Sequence, residues 1–291
     1  MAKLKSPFEQ WLERPFNEHK GLHHEIFVGS CFLLDEGWSK EETFDLLRKT
    51  CNKVEDRYVP DREIWSAINY AWQRVTGELS PGPVWPRRDD KLRAEILGLF
   101  PVKDLLFRLP IPASAPVLTW LRMLYREEAL LCIGKTAFEF RTVQLGDLLR
   151  AKADLSLCEF INPSPMSAVV GKTLEGNDSF HSRSNTGPRV YGVIEFDYGT
   201  VGEHIAILKC LATQLSLVMI VFSGSKSCHG WFNTLSVPEE KVLEFYKLAV
   251  SLGADPKMYS TCQFTRLPMG TNSSTGVTQQ VLHFNLANVT L

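Results

Sequence analysis

Residues 191–200 read YGVIEFDYGT, an apolar run interrupted by two acids one position apart, Glu195 and Asp197. Side chains alternate across a β-strand, so Val193, Glu195 and Asp197 share one face while Ile194 and Phe196 take the other. Two carboxylates then stand side by side on an otherwise apolar strand. Like charges held together in such a place are costly unless something positive lies between them, and a divalent metal is the usual answer. A partly exposed strand whose acids merely face water is the plainer alternative, and the pair alone does not choose between them.

The residues that follow supply a context. Thr200 and Glu203 match a capping box, and Ile205, Leu208, Ala212 and Leu215 recur at helical spacing, so a helix is predicted after the acidic strand. Leu217 to Phe222 is a continuous apolar run of strand length, Ser223 to Ser225 holds a glycine suited to a turn, and Ser227 to Leu235 alternates as a second strand. Ser236 and Pro238 open another helix with Val242, Phe245, Ala249 and Leu252 on its buried face and Gly253 as its stop. A last strand is predicted near Cys262 to Leu267. The order β-α-β-β-α-β is that of the ferredoxin-like or RRM-like unit, here a palm over residues 190–270.

On that sheet Ser227 and His229 share a face, taken to lie alongside Glu195 and Asp197, and Asp255 follows the second helix where the chain re-enters the sheet. With Lys226 and Arg266, these residues would converge on one open surface. Carboxylates that hold metal ions, and cations, hydroxyls or an imidazole that hold phosphate oxygens, suit a metal-bound triphosphate.

The order Glu195-Phe196-Asp197, then Ser227-Cys228-His229, then Asp255 followed by TRLPMG (265–270), resembles the archaeo-eukaryotic primase superfamily, the primase-polymerases. That family reads as an acidic pair, a Ser-x-His and a third acid on an RRM-like palm. The resemblance spans the palm and extends more loosely back to about Thr119. It implies that Glu195, Asp197 and Asp255 are catalytic and bind two Mg²⁺ or Mn²⁺ ions. Ser227 and His229 would contact the incoming nucleotide, with Lys226 and Arg266 on its triphosphate. The implied reaction is template-directed nucleotidyl transfer in DNA replication, as a DNA primase, a DNA polymerase or both, using nucleoside triphosphates on a single-stranded DNA template. In such proteins the segment before the palm approaches the nucleotide, which adds Asn162, Lys172, Arg183 and Arg189 as nucleotide-binding candidates. The first acid is Glu where many members have Asp, a departure that bears on the metal geometry.

Two other functions use the same unit. It serves as a non-catalytic nucleic-acid-binding module or replication-initiation subunit, and a metal site of this kind also suits nuclease chemistry. Metal dependence separates the first from the polymerase, and cleavage instead of extension identifies the second. The chain has no G-x-x-x-x-G-K-[ST] loop, so a motor would be a separate replicative helicase partner.

Composition bounds the rest. A chain of 291 residues allows two domains, and a formal net charge of −1 gives no overall basic field to attract nucleic acid. Seven cysteines without a C-x-x-C pair argue against a zinc ribbon and, with no signal peptide, for reduced thiols in a cytoplasmic setting. No apolar run approaches membrane-spanning length, so no membrane is expected. The expected architecture is α/β in the α+β sense, with a helical domain over 1–78, a proline-rich linker over 79–116 and the catalytic domain over 117–291.

In the helical part, Ile26, Phe27, Cys31 and Leu34 recur at helical spacing, Ser39 to Glu42 is a capping box before Phe44, Leu47, Cys51 and Val54, and Ile64, Ile68, Trp72 and Val75 follow Pro60. His19, His23 and His24 lack a third ligand at zinc-site spacing and read as surface or capping residues. Arg87, Arg88, Lys91 and Arg93 read either as solvated linker charge or as a nucleic-acid contact. Trp231, on the Ser227 and His229 face, reads as a base-stacking platform or as core.

Overall fold

The computed structural model describes residues 22–51, 59–77, 82–100, 109–112, 114–173 and 176–289. The chain divides into two units, 1–83 and 84–291. Among the described residues no helix is long and apolar enough to cross a membrane.

The first unit contains α1 (Leu22–Asp35), α2 (Lys40–Cys51) and α3 (Asp61–Val75). The Ser39 box closes reciprocally: Glu42 N donates to Ser39 Oγ (3.2 Å) and Ser39 N donates back to Glu42 Oε2 (2.9 Å). Ser39 N and Ser39 Oγ, both donating to Glu42 Oε2, hold the Glu42 carboxyl below the usual carboxylate range. Ile26, Leu33, Leu47, Ile64 and Ile68 form the buried centre, and Phe44 stacks on Trp65 with ring centroids 4.7 Å apart. His19, Val54 and the side chains of His23 and His24 lie outside the described residues.

The second unit begins with α4 (Asp90–Leu99) and α5 (Val117–Leu124). The segment given in the sequence as a proline-rich linker, 79–116, thus contains a helix. Asp89 caps it by accepting from Leu92 N (2.9 Å), and Ile96 and Arg93 are buried on its inner side. The prolines at 81, 83 and 86 end before this helix starts, and its charged first turn, DDKLR, hides the apolar spacing behind it.

After α5 come β1 (Leu130–Gly134), β2 (Phe140–Gln144), α6 (Leu145–Arg150), β3 (Phe160–Ile161), β4 (Gly171–Lys172), β5 (Asp178–Ser179), β6 (Tyr191–Ile194), α7 (Val201–Leu211), β7 (Leu217–Phe222), β8 (Cys228–Asn233), α8 (Glu239–Ser251), β9 (Thr265–Arg266) and β10 (Val281–Phe284). The fold class is α+β. Two antiparallel sheets form, in orders β2-β1-β3-β9 and β10-β7-β8-β6, with β4-β5 as a separate hairpin.

The second sheet is the palm, and β6-α7-β7-β8-α8 runs as the sequence predicts. Thr200 N donates to Glu203 Oε2 (2.7 Å), closing the capping box of α7. Its end differs. The strand expected near Cys262 to Leu267 shrinks to β9, which pairs with β3 in the other sheet. After α8 the chain touches the free edge of β6 through one bridge, Phe196 to Ala254. Asp255 then caps a 3-10 turn, Pro256–Tyr259, which ends any further pairing there, since Pro256 has no N–H to donate. The opposite edge is filled by β10, beside β7.

Both faces of the palm are covered, so the expected open surface is corrected. Gly230 lies against Leu208 of α7 and Phe232 against Phe245 of α8 (4.8 Å), which places the helices on the face shared by Ile194. The other face carries Val193, His229 and Trp231, all buried. Tyr191, beside Trp231 at 5.7 Å, donates its hydroxyl to Leu124 O of α5, and His229 meets Thr265 of β9. A single core joins the two sheets.

A candidate active site at the seam of the two sheets

The register Val193↔Trp231, Ile194↔Gly230 sets the site. One step beyond it, Glu195 falls opposite His229, and its Oε1 lies 3.6 Å from His229 Nε2. On the other side of the strand Asp255 N donates to Glu195 O (2.9 Å), which brings the third acid beside the first. Asp197 is exposed on the loop that leaves the strand. Burial, then the negative charges of Asp197 and Asp255, push the Glu195 carboxyl up to about 7. Asp197 and Asp255 are thus both close enough to act on the Glu195 carboxyl.

His229 is 1% exposed, and burial followed by the nearby His204 pushes its imidazole down to about 3. It is therefore neutral at physiological pH, and its approach to Glu195 is not an ion pair. Its Nδ1 is 3.0 Å from Thr265 Oγ1, and its Nε2 is 3.4 Å from Ser227 Oγ. Ser227 is held by its own N–H, which donates to Ser223 Oγ (3.1 Å). Lys226 sits exposed on the turn just before it.

The remaining candidates are placed elsewhere or engaged internally. Arg266 forms an ion pair with the buried Glu159 and lies over the Phe160 ring at 4.9 Å, so its guanidinium serves the first sheet. Asn162 is fully buried; its Oδ1 accepts from Ser164 N (3.1 Å), and its Nδ2 is 3.2 Å from His181 Nε2. Arg189 donates to Tyr259 O (2.7 Å) and to Glu239 Oε1 (3.1 Å). Lys172 pairs with Asp178 across the β4-β5 hairpin (2.6 Å), and Arg183 is exposed on a 3-10 turn, Arg183–Asn185.

Several contributors lie outside the sequence motifs. Thr265 orients His229; His204 stacks on Phe196 at 4.9 Å and places its Nε2 3.0 Å from Tyr198 O. Thr265 stands next to Arg266 in TRLPMG, which is the one sequence signal it had. Tyr246 of α8 ties the acid strand to the Asp255 turn: its hydroxyl is 3.2 Å from Val193 O and 3.0 Å from Met258 O. Tyr246→Phe is expected to cost about 1–2 kcal/mol, the worth of a buried hydrogen bond, read as a lower urea midpoint with unchanged m.

No protein-family model and no curated protein matches the chain. Among solved structures it is similar to the AEP domain of the cyanophage S-2L primase-polymerase. The identity is 14%, the TM-score 0.40, and the match covers 60% of this chain and 92% of that one. At that TM-score the likeness is a loose one.

The buried and half-buried histidines of this unit make the fold sensitive to acid. Burial lowers His181 to about 4 and His229 to about 3, and also lowers His204 and His283. Unfolded histidines bind a proton below about 6.5 while these do not, so their contribution is complete above pH 6.5 and is lost as pH falls toward the folded values. Glu195, whose folded value is raised, acts in the opposite sense between its unfolded value and about 7 but is one group against four. Thermal unfolding followed from pH 7.5 to pH 5 should show a falling midpoint already at pH 6.

Proposed function

We propose that the chain is a nucleotidyltransferase that initiates or extends a strand on a single-stranded DNA template, with Glu195, Asp197 and Asp255 as its essential acids. The observation behind this reading is the approach of Glu195 to His229 at 3.6 Å with two further acids acting on the same carboxyl. The motif order given above agrees with it.

The donor type suits a hard divalent cation such as Mg²⁺ or Mn²⁺: a carboxylate, Glu195, on which the charges of Asp197 and Asp255 act and which a cation would relieve. Among the described residues, however, no group of three or more His, Cys, Asp or Glu side chains is arranged to hold an ion as the chain stands. When bound by Glu195, Asp197 and Asp255, two such ions would polarise an attacking hydroxyl and neutralise charge on the leaving pyrophosphate.

The chain's own groups have distinct tasks in this scheme. In this reading His229, fixed by Thr265, and Ser227 would hydrogen-bond the incoming nucleotide; both are buried, so the seam must open for a phosphate to reach them. Lys226 adds positive charge there. Glu195, near 7, exchanges its proton close to neutrality and is ionised most fully above that value. Positioning and charge neutralisation, not covalent chemistry, make up the protein's contribution.

A second reading, a non-catalytic nucleic-acid-binding module, is favoured by the engagement of Arg266 with Glu159, which removes a cation from the triphosphate set. Equilibrium binding of a fluorescent nucleoside triphosphate separates the two. The enzyme reading expects Mn²⁺-dependent binding that excess chelator abolishes. The module reading expects single-stranded DNA to bind equally well with chelator and no nucleotide to bind at all. A replicative helicase, if it acts with this chain, is a separate partner.

A further inference from the structure

Arg93 of α4, read in the sequence with Arg87, Arg88 and Lys91 as solvated charge or a nucleic-acid contact, is instead a buried charge. It is 4% exposed, and a guanidinium taken that far from water is costly unless its surroundings use it. Its Nη1 donates to Leu252 O (2.6 Å), the last carbonyl region of α8. Its Nη2 stands 3.7 Å from Glu203 Oε2, too long for a hydrogen bond but close enough for charge attraction, and Glu203 closes the capping box of α7. Nη2 has no hydrogen-bond partner.

The two loops reached by this side chain are those that carry acids. Gly199, with φ +109°, lies two residues after Asp197, and a Cβ there would sit 2.5 Å from Arg93 Nη2. Gly253, with φ +101°, lies two residues before Asp255, and a Cβ there would sit 3.3 Å from Arg93 Nη1. The guanidinium thus runs between two glycines whose backbone conformation and lack of a side chain make room for it. The neighbouring chain reinforces the tie: Asp89 N donates to Ser251 O (2.8 Å), and Arg88 covers the Tyr198 ring at 4.5 Å.

We propose that Arg93 is a positioning residue that ties the Asp197 loop to the Asp255 turn and so sets the separation of the two acids. Asp255 N to Glu195 O holds the acids together from the strand side, and Arg93 holds them from the helix side. The role of the acids rests on the function proposed above; the tie itself does not.

The test uses the full chain, Arg93→Met and Arg93→Lys, with two readouts. Amide hydrogen exchange is followed by segment, and Mn²⁺ binding to the nucleotide-free protein is followed by magnetic resonance. Arg93→Met should raise exchange together in 197–203 and 251–256, with the β7-β8 hairpin unchanged, and weaken Mn²⁺ binding about ten-fold; Arg93→Lys, which keeps the charge and one donor, should fall between it and the parent. If Arg93→Met does not fold, Arg93→Lys alone carries the expectation of raised exchange in both segments. Parental exchange in the two segments, or a rise spread evenly over the whole unit, overturns the proposal. A parent that binds no Mn²⁺ overturns the metal reading instead, and the exchange result then still decides the tie.

Discussion

Replacing Asp197 by alanine is expected to abolish nucleotidyl transfer while the chain still folds. Asp197 is exposed on the loop after β6, and loss of an exposed side chain away from a packed feature is typically within about 0.5 kcal/mol of neutral. The carboxylate is at the same time one of the two negative neighbours acting on Glu195. Without it an ion between the acids loses a ligand, and the loss in rate should reach at least about a thousand-fold, roughly 4 kcal/mol of transition-state stabilisation. Single-turnover extension by the variant, beside its unfolding midpoint, checks both halves. Full activity in Asp197→Ala would end the assignment of the acids.

Trp231→Ala carries the largest expected effect on stability. The indole is fully buried on the face of β8 that meets the first sheet, beside Tyr191. Truncating a buried aromatic costs about 3–5 kcal/mol through lost transfer energy and the cavity left behind, a large part of a domain's usual stability of about 5–15 kcal/mol. The expected result is a strongly lowered midpoint in urea. The other role open to this residue in the sequence, a platform for a base, predicts the reverse: unchanged stability with weakened binding of single-stranded DNA. A stable Trp231→Ala protein that binds DNA poorly would restore that role.

Local patterns in the sequence reached the structure largely intact. The Thr200 to Glu203 box, the Leu217 to Phe222 run and the Gly253 stop each depend on residues within a turn or two and appear as expected, whereas the strand expected through YGVIEFDYGT ends at Ile194, so Glu195 and Asp197 lie just beyond it and do not share a strand face. What escaped depends on distant partners. Nothing in Cys262 to Leu267 shows whether that segment pairs with β6 or β3, because the same side-chain pattern suits either edge. The covering of the palm's second face by α5 and β9 was equally hidden, and with it the burial of His229. Asn162, Arg189 and Arg266 look in the sequence like free polar groups of a binding loop. Their polar atoms are taken up by His181, by Tyr259 and Glu239, and by Glu159, the last two sets lying far away along the chain. Arg93 escaped for the opposite reason: it sits among other charges that face water, and only its contacts with Leu252 and Glu203 distinguish it.

The most direct test of the central claim is extension of a labelled primer on a single-stranded DNA template, with Mg²⁺ or Mn²⁺ and all eight nucleoside triphosphates, by the parent chain and by a Glu195→Ala, Asp197→Ala double variant. A parallel reaction without primer tests initiation. Metal-dependent synthesis by the parent and none by the double variant is the predicted result. Single-stranded DNA bound by both, with no synthesis by either, would contradict it.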